Sequence, residues 1–175
     1  ASGDWFSKIT IDPNPSMFWA NPDDKMSPVE WGEFVHQILS EVKDAMDIDH
    51  VLNPYIDAGV IDTKTASMLY GLFEQMVLHP AIYEAFTDQA KTKNECDILT
   101  SQHEIVRPDR YAELPDKIIL LDYKTGQPSK DHHKQLQQYM SVLKKMKDKR
   151  IEAYLVYLGD TISRSEERRV GKECR

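Results

Sequence analysis

The stretch Lys117–Gly126, KIILLDYKTG, constrains the fold more than any other part of the chain. In a strand alternate residues share a face, so Ile118, Leu120, Asp122 and Lys124 point one way and Ile119, Leu121 and Tyr123 the other. A strand apolar on both faces belongs inside a sheet that is covered on both sides. Further on, Ile151–Leu158 (IEAYLVYL) is a second, nearly continuous apolar run. Between the two, from Ser129 to about Met146, the helical period appears, with Leu136, Met140, Leu143 and Met146/Lys147 inward or flanking. Strand, helix and strand in this order make a right-handed parallel crossover.

The segment before this unit splits into two textures. Lys93–Thr100, His103–Val106, Asp109–Leu114 and Lys117–Lys124 read as short strands joined by turns. Upstream, Ser27-Pro28-Val29-Glu30 is a helix start, with Ser27 capping and Glu30 completing a capping box. Trp31, Phe34/Val35, Ile38, Val42 and Ala45/Met46 carry that helix to about Met46. A shorter helix covers about 49–58 and ends at Gly59; Asp62 then caps a third, on which Ala66, Leu69/Tyr70, Phe73 and Met76/Val77 form the apolar stripe. His79-Pro80 breaks it, and Ala81–Phe86 adds a last turn or two.

The resulting expectation is an α/β domain: a mixed β-sheet with a strand meander and a crossover helix, preceded by an N-terminal helical region. A single domain is expected over 1–163, divided into an irregular arm at 1–26, a helical part at 27–88 and an α/β core at 91–158. The arm is rich in Pro, Asn and Asp, and its aromatics Trp5, Phe6, Phe18 and Trp19 are expected to pack onto a neighbour. Residues 164–175 (RSEERRVGKECR) have no apolar period and read as a non-native or disordered tail.

Composition removes several classes of function. The chain has 175 residues, 41% of them hydrophobic, which suits one domain with a sizeable core. Its 22 Lys+Arg against 29 Asp+Glu argue against a general polyanion-binding surface. The charge is uneven, however. Residues 1–62 carry three lysines and twelve acids, whereas 124–150 carry eight Lys/Arg and only Asp131 and Asp148. A phosphate backbone is expected to meet that second stretch. With only Cys96 and Cys174, the chain has no disulfide framework, four-cysteine zinc site or iron–sulfur cluster, so a metal must be held by oxygen and imidazole. No apolar run approaches the roughly 20 residues that span a bilayer, and no secretory signal is seen. A soluble, cytoplasmic chain without a membrane partner is the expectation. It starts at Ala1 rather than Met, as a piece of something longer would.

The chemistry concentrates where the central strand ends. Asp122 and Lys124 share one face at the edge of the core. A partly exposed strand-end salt bridge accounts for them equally well, because desolvation commonly cancels the attraction of a buried pair. The neighbourhood favours another reading. The turn near Pro115-Asp116 folds Asp109, in Arg107-Pro108-Asp109-Arg110, back beside Asp122. Two converging carboxylates repel unless a cation lies between them. Oxygen ligands without cysteine favour Mg²⁺ or Mn²⁺. An acid pair, a hard ion and an adjacent lysine are the equipment for hydrolysing a phosphodiester.

Asp109 followed by Asp122-Tyr123-Lys124 resembles the PD-(D/E)XK nuclease motif. The fuller set RPDR…LLDYKTG…QLQQY is similar to the RecB-type nuclease domain, most of all the C-terminal nuclease of AddA-like helicase–nucleases. That branch has a helix-borne histidine four residues after a glycine, matched by Gly32 and His36, with Gly32 expected to leave space above the imidazole. The resemblance runs from about Trp31 to Leu158 and implies a restriction-endonuclease-like core. It implies that His36, Asp109, Asp122 and the Tyr123 backbone carbonyl ligate the metal and that Lys124 is the catalytic lysine. Gln135 and Tyr139 match the family's Gln-x-x-x-Tyr pair and share one face of the crossover helix, placed to orient the lysine, the water or the DNA backbone. Glu95 stands where the family often has an upstream acid. Pro108 replaces a glycine common in relatives, and the four cysteines of the cluster-bearing branches are missing.

The activity implied is a metal-dependent DNA exonuclease acting on single strands or duplex ends in double-strand-break repair, with a helicase motor in the same parent chain or on a partner subunit. No GxxxxGK[ST] phosphate loop is present, so ATP hydrolysis is not expected of this chain itself. The rival readings are a nuclease-like domain that binds DNA ends or a partner without cutting, and a free-standing exonuclease of CRISPR or mobile-element systems. His132 and His133 read as solvent- or DNA-facing, and His50, His79 and His103 have no partner pattern. The charge run Lys144–Arg150 is either a solvated helix end or a phosphate contact. Met68, Met76, Met140 and Met146 fall on core stripes.

Overall fold

The computed structural model describes residues 5–11, 26–99, 105–126 and 128–158. In chain order these form β1 (Trp5–Ile11), α1 (Pro28–Glu41), a 3₁₀ turn (Ala45–Asp47), α2 (Ile48–Asp57), α3 (Thr63–Val77) and a second 3₁₀ turn (Tyr83–Phe86). There follow β2 (Lys91–Asn94), β3 (Ile98–Leu99), β4 (Ile105–Val106), β5 (Arg110–Glu113), β6 (Lys117–Lys124), α4 (Lys130–Met146) and β7 (Arg150–Leu158). The main sheet has the order β1-β7-β6-β5-β2; β1, β7 and β6 run parallel, and β5 and β2 are antiparallel to their neighbours. This is a mixed α/β fold with β6 at the centre, consistent with the restriction-endonuclease-like expectation.

The alternation along β6 partitions the core. Ile119, Leu121 and Tyr123 join the cluster made with α1, α2 and α3, while Ile118 and Leu120 join the cluster under α4. The helices start where their caps dictate. Glu30 N–H donates to Ser27 Oγ (3.3 Å) and Ser27 N–H to Glu30 Oε2 (2.7 Å), closing the capping box of α1. The Asp62 carboxylate accepts from Thr65 N–H at 2.7 Å and starts α3. No helix among the described residues is long and apolar enough to cross a membrane.

The structure corrects three expectations. Trp5–Ile11 is a strand rather than part of an irregular arm: it pairs with β7 from Trp5 opposite Glu152 to Ile11 opposite Leu158. Ile9 and Ile11 are buried, and the pairing satisfies the outer backbone edge of β7. Seven residues of alternation are hard to see beside the Pro/Asn/Asp-rich stretch that follows, and that stretch, like the expected tail at 164–175, lies outside the described residues. Second, α1 stops at Glu41 rather than near Met46. Val42 is extended, its carbonyl and that of Lys43 accept from the Arg110 guanidinium, and Asp44 caps the new 3₁₀ turn. Third, the expected strand over Lys93–Thr100 is two strands in different sheets. Glu95 has φ +46, a left-handed conformation that turns the chain out of the main sheet, so that β3 pairs with β4 in a separate two-stranded ribbon.

Candidate active site

Strand register brings the two acids together. In the antiparallel β5–β6 pair Arg110 faces Leu121, so Asp109, one residue before β5, lies beside Asp122, one residue further along β6. Asp109 Oδ2 accepts the Tyr123 backbone N–H at 2.5 Å, and Asp109 Oδ1 lies 3.5 Å from His36 Nδ1. His36 reaches the sheet edge from α1. Its ring stands edge-on to the buried Tyr123 ring, with centroids 6.0 Å apart and planes at 86°. Burial pushes the imidazole pKa down, but the hydrogen bond and charge of Asp109 outweigh it, and the net shift is upward.

Asp122 is 3% exposed. Its Oδ2 lies 2.7 Å from Lys124 Nζ, yet the approach angle leaves that buried oxygen without a well-directed hydrogen bond. Burial, then the charge of Asp109, raises the Asp122 carboxyl to about 6 against the opposing pull of Lys124 and His36. Lys124 Nζ also donates to Gln135 Oε1 at 3.2 Å. Gln135 Nε2 donates to Tyr139 Oη at 2.7 Å, and Tyr139 O–H donates to the Arg107 carbonyl at 3.0 Å. Only one amide orientation satisfies this chain, because a lysine ammonium donates and cannot accept. Burial, with the charges of Asp122 and Asp109 nearby, pushes the Tyr139 hydroxyl up to about 12, so it stays a donor at neutral pH.

Further residues hold this frame, among them Arg110, to which the sequence pattern assigned no role. Arg110 is 1% exposed and donates to the carbonyls of Ala85 (3.1 Å), Val42 (2.8 Å) and Lys43 (3.1 Å), with its guanidinium 4.0 Å from the Phe86 ring centre. It pins the end of the α1 segment to the strand that follows Asp109. Gly32 opens space, but for a different group from the imidazole: a Cβ there would come 2.7 Å from Thr125 Oγ1. The glycine thus lets α1 close on the residue after Lys124. His132 is half-buried, with Nδ1 2.9 Å from Tyr157 Oη. The signal was the parallel register that sets Tyr157 opposite Lys124. Glu95 touches the site through its backbone, its N–H donating to the Asp109 carbonyl at 3.0 Å, while its side chain is exposed.

The sequence-predicted residues therefore gather at one end of the sheet: His36 with Asp109, Asp109 with the Tyr123 N–H, Asp122 with Lys124, and Lys124 with Gln135 and Tyr139. Tyr123 meets the site through its backbone N–H to Asp109 and its ring against His36. Among the described residues no group of three or more His, Cys, Asp or Glu side chains is gathered closely enough to enclose an ion. The donor chemistry nevertheless fits a hard divalent cation. Two carboxylates and an imidazole adjoin, and one buried carboxylate oxygen lacks a directed partner.

Comparison with curated proteins gives no match. Compared with known families, residues 13–173 match the PD-(D/E)XK nuclease superfamily, a span that includes every residue of this site. With an acid before β5 and an Asp-x-Lys ending the central strand, the chain belongs to the PD-(D/E)XK nuclease superfamily.

Proposed function

We propose that this nuclease-superfamily domain is a Mg²⁺- or Mn²⁺-dependent deoxyribonuclease. The observation that carries the reading is the convergence of Asp109, Asp122 and His36 beside Lys124 at the end of the central strand, with one buried Asp122 oxygen lacking a directed hydrogen bond. A structural ion pair lowers a carboxylate's pKa, whereas burial and the Asp109 charge push Asp122 up to about 6 even with a lysine 2.7 Å away. The opposite end of the same strand offers a contrast. Buried Lys117 donates to Glu84 (2.8 Å) and Glu152 (3.3 Å), and Arg150 meets Glu152 at 2.7 Å, two cations against two acids. That cluster is balanced; the site is not.

His36, Asp109, Asp122 and the Tyr123 carbonyl are the groups that would hold the ion. When bound, it supplies Lewis acidity to a phosphate and lowers the pKa of water. Lys124, held by Gln135 and Tyr139, places its ammonium where negative charge develops on the phosphodiester. Products with a 5′-phosphate and a 3′-hydroxyl follow from the family chemistry. The AddA-like features, His36 after Gly32 and the Gln135/Tyr139 pair, support a place in a helicase–nuclease that processes DNA ends for double-strand-break repair, with the motor in the parent chain or a partner subunit.

Purified protein incubated with single-stranded DNA or duplex ends and Mg²⁺ or Mn²⁺ should cut, as read on denaturing gels. Asp122→Ala and Lys124→Ala should each abolish cutting while the protein still melts cooperatively. Folded wild-type protein that cuts with neither ion would leave a DNA-binding module as the better reading.

A further inference from the structure

A cavity of about 520 Å³ opens on the α4 side of the sheet, between β2, β3, β5 and the C-terminal half of α4. Its wall is apolar, built from Ile98, Leu99, Tyr111, Leu143 and Met146, and Lys91, Lys93 and Lys147 stand around it. Leu99 is 61% exposed and Met146 53%, unusual for large apolar side chains beside a charged rim. The two acids of the wall are already matched: Glu113 meets Lys149 at 2.9 Å and Lys147 at 3.4 Å, and Asp97 takes Arg107 in a bidentate pair at 2.6 and 3.1 Å.

The cavity shares two elements with the active site, β5 and α4. Tyr111 and Glu113 lie two and four residues beyond Asp109 on β5, about 7 and 14 Å at the strand rise. Leu143 lies eight residues beyond Gln135 on α4, about 12 Å. Arg107 joins the two places: its carbonyl accepts from Tyr139, while its guanidinium holds Asp97 in the cavity wall. At ~3.4 Å per nucleotide of a helically stacked strand, these spans correspond to about two to four nucleotides from the catalytic end.

We propose that this cavity takes one base of the DNA strand being cut, with the flanking phosphates on Lys91 and Lys93. An apolar wall beside an aromatic ring suits the face of a base, and the cationic rim suits the backbone on either side. A volume of about 520 Å³ lies in the range of small-ligand pockets and takes a nucleoside. The inference rests on the reading of the domain as a DNA nuclease and adds a specificity-determining subsite to it.

The test uses the full chain and single-stranded oligonucleotides in which one abasic position is moved along the strand. Binding is followed by fluorescence anisotropy in EDTA, and cleavage of the unmodified strand is mapped separately with Mn²⁺. One abasic position, two to four nucleotides from the mapped cut, should weaken binding about tenfold or more, and its neighbours should have little effect. Leu99→Asp and Met146→Asp, both at exposed positions, should erase that dependence and weaken binding of the unmodified strand about as much as the abasic position does. A flat abasic scan, or a dip that both variants retain, overturns the subsite while the Mn²⁺ cleavage still upholds the nuclease. A flat scan with Leu99→Asp changing the elution volume assigns the cavity to a protein contact and likewise overturns it. Absence of cleavage beside a clear dip leaves the subsite standing and removes the nuclease.

Discussion

Asp122 Oδ2 and Lys124 Nζ are 2.7 Å apart, and still the carboxyl is pushed up from its ordinary 3.8 to about 6. Burial and the Asp109 charge together outweigh the lysine. The folded chain thus carries an acid whose ionised form is disfavoured where it stands, an arrangement that costs stability and suits a site built to meet a cation.

The sign of the pH dependence follows. A carboxyl whose folded pKa is raised adds no penalty below its unfolded value of about 3.8; the penalty grows as pH rises to about 6 and is complete above that. A rise of this size corresponds to about 3 kcal/mol at most. Without divalent metal, Asp122→Asn should therefore melt at or above the wild-type temperature at pH 8, and the gap should close by pH 4. Lys124, left without its partner, offsets part of the gain. A variant that melts lower than wild type at pH 8 would mean that the pair is a stabilising salt bridge.

The Lys124–Gln135–Tyr139–Arg107 chain predicts a kinetic effect without a folding one. Tyr139→Phe keeps the buried ring and removes the hydroxyl that fixes the Gln135 amide, so the amide is free to rotate away from Lys124. Of the two hydrogen bonds lost, only the one to Gln135 leads to Lys124; it is worth about 1 kcal/mol, so cleavage should slow about fivefold to tenfold. DNA affinity should change less than the rate does. Equal losses in both, measured by single-turnover cleavage and by anisotropy, would assign Tyr139 to DNA binding instead.

Much of this architecture was legible in the sequence, because its strongest elements obey one period each. The two-faced apolar pattern of Ile118–Tyr123 announced a central strand, and the capping residues Ser27, Glu30 and Asp62 announced helix starts. Register then followed from the turn at Pro115-Asp116, which puts Asp109 beside Asp122. What stayed hidden depends on contacts between distant segments. The β1 strand exists because β7 has an edge to pair, and α1 ends early where Arg110, 68 residues from Val42, takes its carbonyl. Likewise Gly32 announces a close approach, but not that Thr125 is the group approached.

Arg110 is a structural residue within the motif, and it should behave as one. Its buried guanidinium bonds three carbonyls from two segments, and bonds of a charged donor are worth about 1.5–3 kcal/mol each. Arg110→Ala should lower stability by more than about 3 kcal/mol and lose activity only along with the fold, as followed by circular dichroism. Arg110→Lys should recover part of the stability, since an ammonium replaces the charge but not the three-way geometry. A folded, inactive Arg110→Ala protein would instead make this guanidinium part of the chemistry.

Cation binding tests the acid–imidazole group most directly, through stability alone. A ligand that binds the folded chain raises its melting temperature with concentration, by about 2.7 kcal/mol at a hundred times the dissociation constant. Wild-type protein should melt progressively higher as Mn²⁺ is added. Asp109→Asn keeps an oxygen for the Tyr123 N–H and so keeps the fold, but it removes a charge from the group; its melting temperature should stay flat. His36→Ala should give a smaller rise than wild type, because the imbalance of Asp109 and Asp122 persists while the imbalanced pair loses its imidazole neighbour at 3.5 Å. Equal rises in all three proteins would place Mn²⁺ elsewhere on the surface and break the link between these residues and the metal.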